Sequence, residues 1–378
     1  MSSQRGDDDM KYTFNAEWFD PLASLAKPFL ISYFPSNKTA EIFDLKNHRL
    51  FLKRSLCENL SLDQFKLGNT VEIYSRAFKL LDYADPFTKS SFEVQKERCC
   101  VIIKSEAFDY IGQIYSAFER ENLTVAQLRT FRLNVNQLDE LFIALSDHPQ
   151  FEDLLNHLSN DIIVAIDIVG DRCLTHINNL LGPEDPEKAR RTAPNSIRAK
   201  FGVDWVHNGV YASYDAEETN HMLSFLFASL WPCTAIKTNC TFALILPHVL
   251  RNKQLGNVLR DIIEEEGFDV SAMELFILPK KCADDFFRVY HGIWRDYSAK
   301  IDEVCSGPCL GLEIRGENAQ KTFRQFCGPY DPAIAKLLAP NSLRALYGEN
   351  RTRNGIHCTD VVEDTVLECE YFFDFLQV

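Results

Sequence analysis

The residues best equipped for chemistry lie near the end of the 378-residue chain, where Asn354, Gly355, Ile356 and His357 are followed by Thr359 and Asp360. An imidazole is nucleophilic at neutral pH and can carry a phosphoryl group between two oxygens. The same spacing recurs 146 residues earlier as Asn208, Gly209, Val210 and Tyr211, with a phenol where the imidazole would be. A phenol is a far poorer nucleophile at pH 7. At the same offset Gly328-Pro329-Tyr330-Asp331-Pro332 repeats as Gly182-Pro183-Glu184-Asp185-Pro186, and Ser342-Leu343-Arg344 as Ser196-Ile197-Arg198. Tyr371-Phe372-Phe373 likewise returns as Phe225-Leu226-Phe227. A register held over so many positions marks an internal duplication. The exchange of His357 for Tyr211 is then a statement about function.

The elements that must position these groups follow from the pattern. The expected organisation is a disordered tail at 1–10, a β-rich domain at 11–97, one repeat at 98–227, a linker at 228–237 and a second repeat at 238–378. In the first domain, runs such as Phe29–Phe34, Glu41–Leu45 and Val71–Tyr74 are broken by turn-forming residues, which predicts a small barrel or curled sheet. Each repeat reads β-α-β-α-β. The first has strands at Cys99–Lys104, Val125–Leu133 and Ile162–Ile166 and a helix at about Tyr110–Glu121. The second has strands at Phe242–Leu246, Val270–Leu278 and Leu310–Ile314 and a helix at about Asn257–Glu266. This order predicts an α+β fold, a split βαβ (ferredoxin-like) arrangement with an antiparallel sheet. The linker is short and apolar, which predicts that the repeats pack together.

Composition narrows the function. Apolar content of 46% and charged content of 25% are ordinary for a globular chain. No apolar run approaches the ~20 residues of a membrane helix, and the acidic start does not read as a secretory signal. The net charge is −14, of which residues 1–97 carry −1 and the duplicated part −13. That balance argues against nucleic-acid binding, which draws on a basic surface. The densest basic stretch is Lys46, His48, Arg49, Lys53 and Arg54, either a docking patch or a solvated hairpin face. Twelve scattered cysteines without paired metal spacing read as free thiols in a reducing compartment, with no metal site.

Taken together, Asn354, His357, Thr359 and Asp360 downstream of Arg344, with Ser306-Gly307-Pro308 and Ile103-Lys104, resemble the active-site elements of nucleoside diphosphate kinases. The resemblance covers both repeats. With Asp44–Arg49 and Phe51–Arg54 in front, the chain is similar to one tandem-domain ciliary branch of that family, the seventh type. The N-terminal β domain of that branch is shared with ciliary EF-hand proteins. The resemblance implies a ping-pong transfer in which a histidine takes the γ-phosphoryl of ATP, with Mg²⁺ as cofactor, and hands it to a nucleoside diphosphate. In the second repeat it implies His357 as the phosphorylated residue, Glu368 as its orienting carboxylate, and Arg324, Arg344, Asn354 and Phe287 as nucleotide-binding residues. Leu246 stands where the phosphate-binding lysine belongs, with His248 or Arg295 as candidate substitutes, and Arg295 falls where a second aromatic belongs. Tyr330 takes a threonine's position. In the first repeat Lys104, Phe142, Arg198, Asn208 and Tyr211 are vestigial, and Gln150, Asn178, Glu184 and Met222 depart from the pattern.

The expected function is therefore an interaction protein built on degenerate kinase domains. The resemblance implies a microtubule inner protein of the ciliary or flagellar axoneme, in the cytoplasm and cytoskeleton. Its partners would be tubulin, other axonemal proteins and γ-tubulin complexes, with no nucleic acid and no membrane. The alternative is a weak nucleoside diphosphate kinase acting through His357, or a nucleotide-binding regulator. A monomer is expected, because duplication can replace a contact between single-domain chains.

Overall fold

A computed structural model describes residues 10–20, 25–92, 96–121, 123–159 and 161–376. The expected disordered tail lies, apart from Met10, outside the described residues. The chain divides after residue 95 into two compact units.

The first unit is an antiparallel sheet of β1 (Tyr12–Asp20), β2 (Leu25–Phe34), β3 (Thr39–Asp44), β4 (Arg49–Leu56), β5 (Thr70–Ile73) and β6 (Arg76–Tyr83), in the order β4-β3-β2-β1-β6-β5. Alternation decides which face is covered. In β3 every second residue, Ala40, Ile42 and Asp44, points inward. Phe14, Phe29, Ile31, Tyr33, Phe65 and Phe78 fill the interior, and the Tyr33 hydroxyl donates to the Leu60 carbonyl at 2.9 Å. This order leaves β4 and β5 at the ends of the sheet, so among the described residues it takes the curled-sheet form of the expectation and is not a closed barrel. Lys46 and His48 lie in the β3–β4 turn, where the Asp44 carboxylate accepts from the Asn47 backbone and side chain at 3.0 and 2.7 Å. The Arg54 guanidinium lies 3.7 Å from the Phe34 ring centroid.

The second unit contains both repeats. The first supplies β7 (Glu97–Ile103), β8 (Thr124–Arg132), β9 (Ile162–Gly170) and β10 (Val210–Ala212). The second supplies β11 (Cys240–Ile245), β12 (Asp269–Phe276), β13 (Cys309–Arg315) and β14 (Ile356–Cys358). The eight strands form one sheet in the order β10-β7-β9-β8-β12-β13-β11-β14, so the second repeat runs as the mirror order of the first. The seam is β8 against β12, with Arg129 opposite Glu274 and the Thr130 hydroxyl bonded to the Met273 backbone and to Thr234 of the linker. The linker is tied down further: the Ile236 and Lys237 amides both donate to Glu313 at 2.6 Å.

Across the seam the helices Ile111–Arg120 and Leu255–Arg260 pack so closely that glycine is required on both. A Cβ on Gly112 would lie 2.3 Å from the Arg260 nitrogen, and one on Gly256 would lie 2.2 Å from the Ser116 hydroxyl. The core on this side runs unbroken from Cys99 and Ile114 to Leu259 and Phe323, whereas the opposite face carries a separate core in each repeat. Shared burial on one side makes the repeats one body, and the two independent cores frame two sites.

Candidate functional site

His357 is the middle residue of β14, opposite Leu244 of β11, and is 5% exposed. Its Nε2 lies 3.1 Å from Oε2 of Glu368, which comes from the helix Thr365–Glu370. The same oxygen accepts from the Thr359 hydroxyl at 2.8 Å, which fixes the carboxylate. A carboxylate on Nε2 favours the tautomer with the proton there, leaving the lone pair on Nδ1. Phe286 and Phe287 stand edge-on to the imidazole at 5.4 and 5.3 Å and prevent it from tilting.

Two arginines lie beside the histidine. Arg344 is buried, donating through Nε to the Ile356 carbonyl at 3.1 Å, through Nη1 to the Gly328 carbonyl at 2.7 Å, and through Nη2 to the Cys358 sulfur at 3.4 Å. Gly328 can meet it because its φ of +79° turns the chain there, and a side chain would strike Ser342. The hydrogen bond with Cys327 first, and the Arg344 charge after it, hold the Cys358 thiol below its ordinary range. Arg324 is half exposed and pairs with Asp360, which also accepts from the Tyr290 hydroxyl at 2.8 Å. The rings of Tyr290, Trp294 and Tyr330 stack at 4.0 and 5.3 Å. Trp294, Tyr330, Arg324 and Arg344 line an open cavity of about 720 Å³.

The matching place in the first repeat is closed. Tyr211 donates a short hydrogen bond to Glu218, whose other oxygen accepts from the Tyr214 amide at 2.7 Å. Burial first, and the Glu218 charge second, push the phenol far above its ordinary range. Met222 replaces the orienting carboxylate and is buried beside Tyr211 in the same apolar core. Asn178 bonds back to its own helix at the Leu174 carbonyl, and Glu184 accepts from the Trp205 indole at 3.3 Å. Arg198 keeps its bonds to the Val210 and Gly182 carbonyls, but its Nη2 has no partner among the described residues. Ala212 stands where the second repeat has the Cys358 thiol.

Comparison with known proteins places the chain in a family. The sequence profile of nucleoside diphosphate kinases matches residues 97–230 and again 239–378. The chain belongs to the nucleoside diphosphate kinase family. It is 35% identical over 370 residues to the mouse protein named nucleoside diphosphate kinase homolog 7, covering 97% of this chain and 93% of that one. It is 32% identical over 136 residues to the nucleoside diphosphate kinase of Aquifex aeolicus, covering 35% of this chain and 96% of that enzyme. A crystal structure of the Aquifex enzyme aligns with 31% identity and a TM-score of 0.34, over 35% of this chain and 95% of that one.

Within this kinase-family chain, the structure brings His357, Glu368, Arg344 and Asn354 together, with Arg324 at the cavity edge. Phe287 does not fit the role expected of it: it is wholly buried against His357 and Trp294, so it has no face to offer a nucleotide base. The rings at the cavity are Tyr330 and Trp294, the latter one residue before the exposed Arg295. Phe142 in the first repeat is buried against Tyr211 in the same edge-on way. His248 is no substitute for the missing lysine, because its backbone amide and Nδ1 both meet Glu303 and burial holds its pKa down.

The residue that sequence reasoning missed is Lys300. Its Nζ donates to the Asn354 side-chain oxygen at 2.7 Å and to the Thr352 carbonyl at 3.1 Å, at 1% exposure. A signal existed. In Tyr297–Val304 the apolar stripe is Tyr297, Ile301 and Val304, and Lys300 falls on that same face. Among the described residues, one group has the donor atoms for a metal, Cys240, Glu313 and Cys369. Glu313 there is already committed to Ile236, Lys237 and Ser271.

Proposed function

We propose that the second repeat is a phosphoryl-transfer site of the nucleoside diphosphate kinase type acting through His357, and that the first repeat is its catalytically silent partner in one fold. The observation that carries this reading is the imidazole anchored at Nε2 by Glu368 and Thr359, beside two arginines and an open cavity. In the first half-reaction Nδ1 attacks the γ-phosphorus of a nucleoside triphosphate. The N–P bond forms as the bond to the bridging oxygen breaks, and that electron pair leaves with the diphosphate. In the second half-reaction a terminal oxygen of another nucleoside diphosphate attacks the phosphorus and the N–P bond breaks, restoring the imidazole. Glu368 holds the Nε2 proton throughout and balances the charge that develops on the ring. Arg324 and Arg344 offer guanidinium charge to the phosphate oxygens.

Asp360 and Glu368 are both engaged, so the residues present fit Mg²⁺ arriving on the nucleotide's phosphates and not a resident ion. Such an ion would supply neutralisation of phosphate charge. The test is incorporation of label from γ-labelled ATP with Mg²⁺. Wild type should take up acid-labile label and pass it to added diphosphate, and His357→Gln should take up none. An unlabelled wild type at high protein concentration would sink the reading.

A second reading rests on the first repeat and the N-terminal unit. The first repeat keeps its packing without usable chemistry, as expected of an interaction block. Lys46, Arg49 and Lys53 stand exposed on a turn and an edge strand. From the resemblance to the ciliary branch we infer tubulin in the axonemal doublet as the partner for that strip, and cilia as the location. Reversing the charge of Lys46, Arg49, Lys53 and Arg54 together should abolish incorporation into axonemes; unchanged incorporation would exclude this surface.

A further inference from the structure

The two repeats have exchanged a lysine and a leucine. The strand registers make Lys104 and Leu246 the same position: Ile103 pairs with Val210 and Ile245 with Ile356, and the next amides, of Lys104 and Leu246, donate to the Gly209 and Gly355 carbonyls at 2.9 and 3.0 Å. The helices Phe151–Leu158 and Tyr297–Val304 correspond residue for residue, which places Leu154 opposite Lys300. The first repeat therefore has lysine on the strand side and leucine on the helix, and the second has the reverse. All four side chains are at most 2% exposed. Although the two lysines start from different elements, their ammonium groups end at the same place. Lys104 Nζ donates to the Val206 carbonyl at 2.7 Å, and Lys300 Nζ to the carbonyl of Thr352, the equivalent residue.

A second exchange accompanies the first. Glu106 bonds to His157 at 2.9 Å in the first repeat, and His248 meets Glu303 at 3.2 Å in the second, the acid and the imidazole having traded elements. Glu303 is further occupied by Arg251 and Arg353, which leaves it no spare oxygen for the lysine. Asn354 also registers the change. Its side-chain oxygen accepts from Lys300, whereas that of Asn208 has no partner among the described residues.

We propose that Lys300 is the phosphate-binding cation of the second site, delivered from the helix to the place that the strand residue Leu246 has vacated. This rests on the phosphoryl-transfer reading above and names a residue that the reading lacked. Lys300 and Arg344 are both buried, and their hydrogen-bond acceptors are carbonyl oxygens, an amide oxygen and a thiol. Among the described residues neither side chain donates to a carboxylate, so a phosphate anion entering here would offset the burial that otherwise favours loss of the Lys300 proton. The Tyr330 ring lies 5.9 Å from both, at the wall of the cavity that an anion would enter. Two of the three ammonium N–H bonds are used, and the third is available to a phosphate oxygen.

The experiment compares wild type with Lys300→Leu, Lys300→Gln and the double variant Leu246→Lys/Lys300→Leu, which recreates the first repeat's arrangement. Two quantities are measured: the rate of label transfer from γ-labelled ATP to His357, and calorimetric binding of inorganic tripolyphosphate. Both single variants should lose about 10²-fold or more in rate and bind tripolyphosphate at least about tenfold more weakly. The double variant should recover most of both. Lys300→Gln keeps polar reach to Thr352 and Asn354 without the charge, so its loss separates charge from packing; melting temperatures confirm that each variant is folded. Single variants that label and bind like wild type, or a folded double variant that recovers neither, would overturn the role of Lys300 and leave the His357 reading standing. A wild type that binds tripolyphosphate without labelling would sink phosphoryl transfer, yet the binding arm would still decide Lys300. A wild type that does neither would remove both.

Discussion

The two repeats share a strand order, a sheet and a core, yet one ends in an anchored imidazole and the other in a sealed phenol. Their packing positions correspond closely: Gly112 with Gly256, Gly182 with Gly328, and Arg198 with Arg344, which make the same pair of carbonyl contacts. The differences that bear on chemistry lie in groups facing the site. Where the second repeat has the Glu368 carboxylate the first has Met222, and the Tyr211 hydroxyl donates instead to Glu218. Arg198 lost a thiol partner, and Asn208 lacks the lysine that Asn354 meets. Fold and chemistry separate here because the cores lie behind the sheet strands, whereas the reactive groups sit on two three-residue strands at the sheet's outer edges.

Substitutions at matching positions of the two repeats test this contrast. The largest effect belongs to the nucleophile: His357→Gln should lower phosphoryl transfer by on the order of 10⁶-fold, while Tyr211→Phe leaves it unchanged. Label lost in the tyrosine variant would mean that the first site is not silent. Next comes the carboxylate. Glu368→Met, which imposes the first repeat's Met222, should cost on the order of 10²- to 10⁴-fold by freeing the tautomer, and a rate within twofold of wild type would remove Glu368 from the mechanism. The seam should respond equally from either side. Gly112→Leu and Gly256→Leu each drive a side chain into the facing helix and should each destabilise by about 1–3 kcal/mol or more, measured by denaturant unfolding. A clear inequality would show that the seam is not symmetric.

The smallest effect is electrostatic and distinguishes the two lysines. Burial, the largest influence on each, holds Lys104 at about 8 and Lys300 at about 7, against 10.5 in an unfolded chain. Between about pH 8 and 10 the unfolded chain therefore binds protons that the native chain does not, and stability rises with pH in that window. Below pH 7 both forms are protonated, and this contribution becomes flat. Lys300→Leu and Lys104→Leu should each reduce the slope by up to about 1.4 kcal/mol per pH unit. An unchanged slope would mean that the ammonium in question stays charged in the native state.

Much of the fold was legible in the sequence because period-2 and period-3.6 patterns are local. The boundaries of the strands expected at Val125–Leu133 and Ile162–Ile166 agree with those of β8 and β9 to within four residues. Free thiols were likewise expected, and all twelve cysteines are free, eight of them buried. The mirror order of the two repeats was not legible, since the β8–β12 pairing links residues more than a hundred positions apart. At the site, residues carried on a short contiguous motif, such as Asn354, His357 and Thr359, could be read from spacing. Phe287 could not, because its type fits both a base clamp and a core residue, and only burial separates them.

The order of residues alone reveals a duplication, with histidine in one copy where the other has tyrosine, and with leucine at the second copy's strand position where the first has lysine. What stands in for that lysine is visible only in three dimensions. A side chain's position is set by its own backbone, but the point its tip reaches is set by how the elements pack. Lys300 lies 54 residues from Leu246 in sequence, and its ammonium meets the Thr352 carbonyl just as Lys104 meets that of Val206. No spacing rule links a helix residue to the vacancy a strand residue leaves; the packing of Tyr297–Val304 against the sheet does.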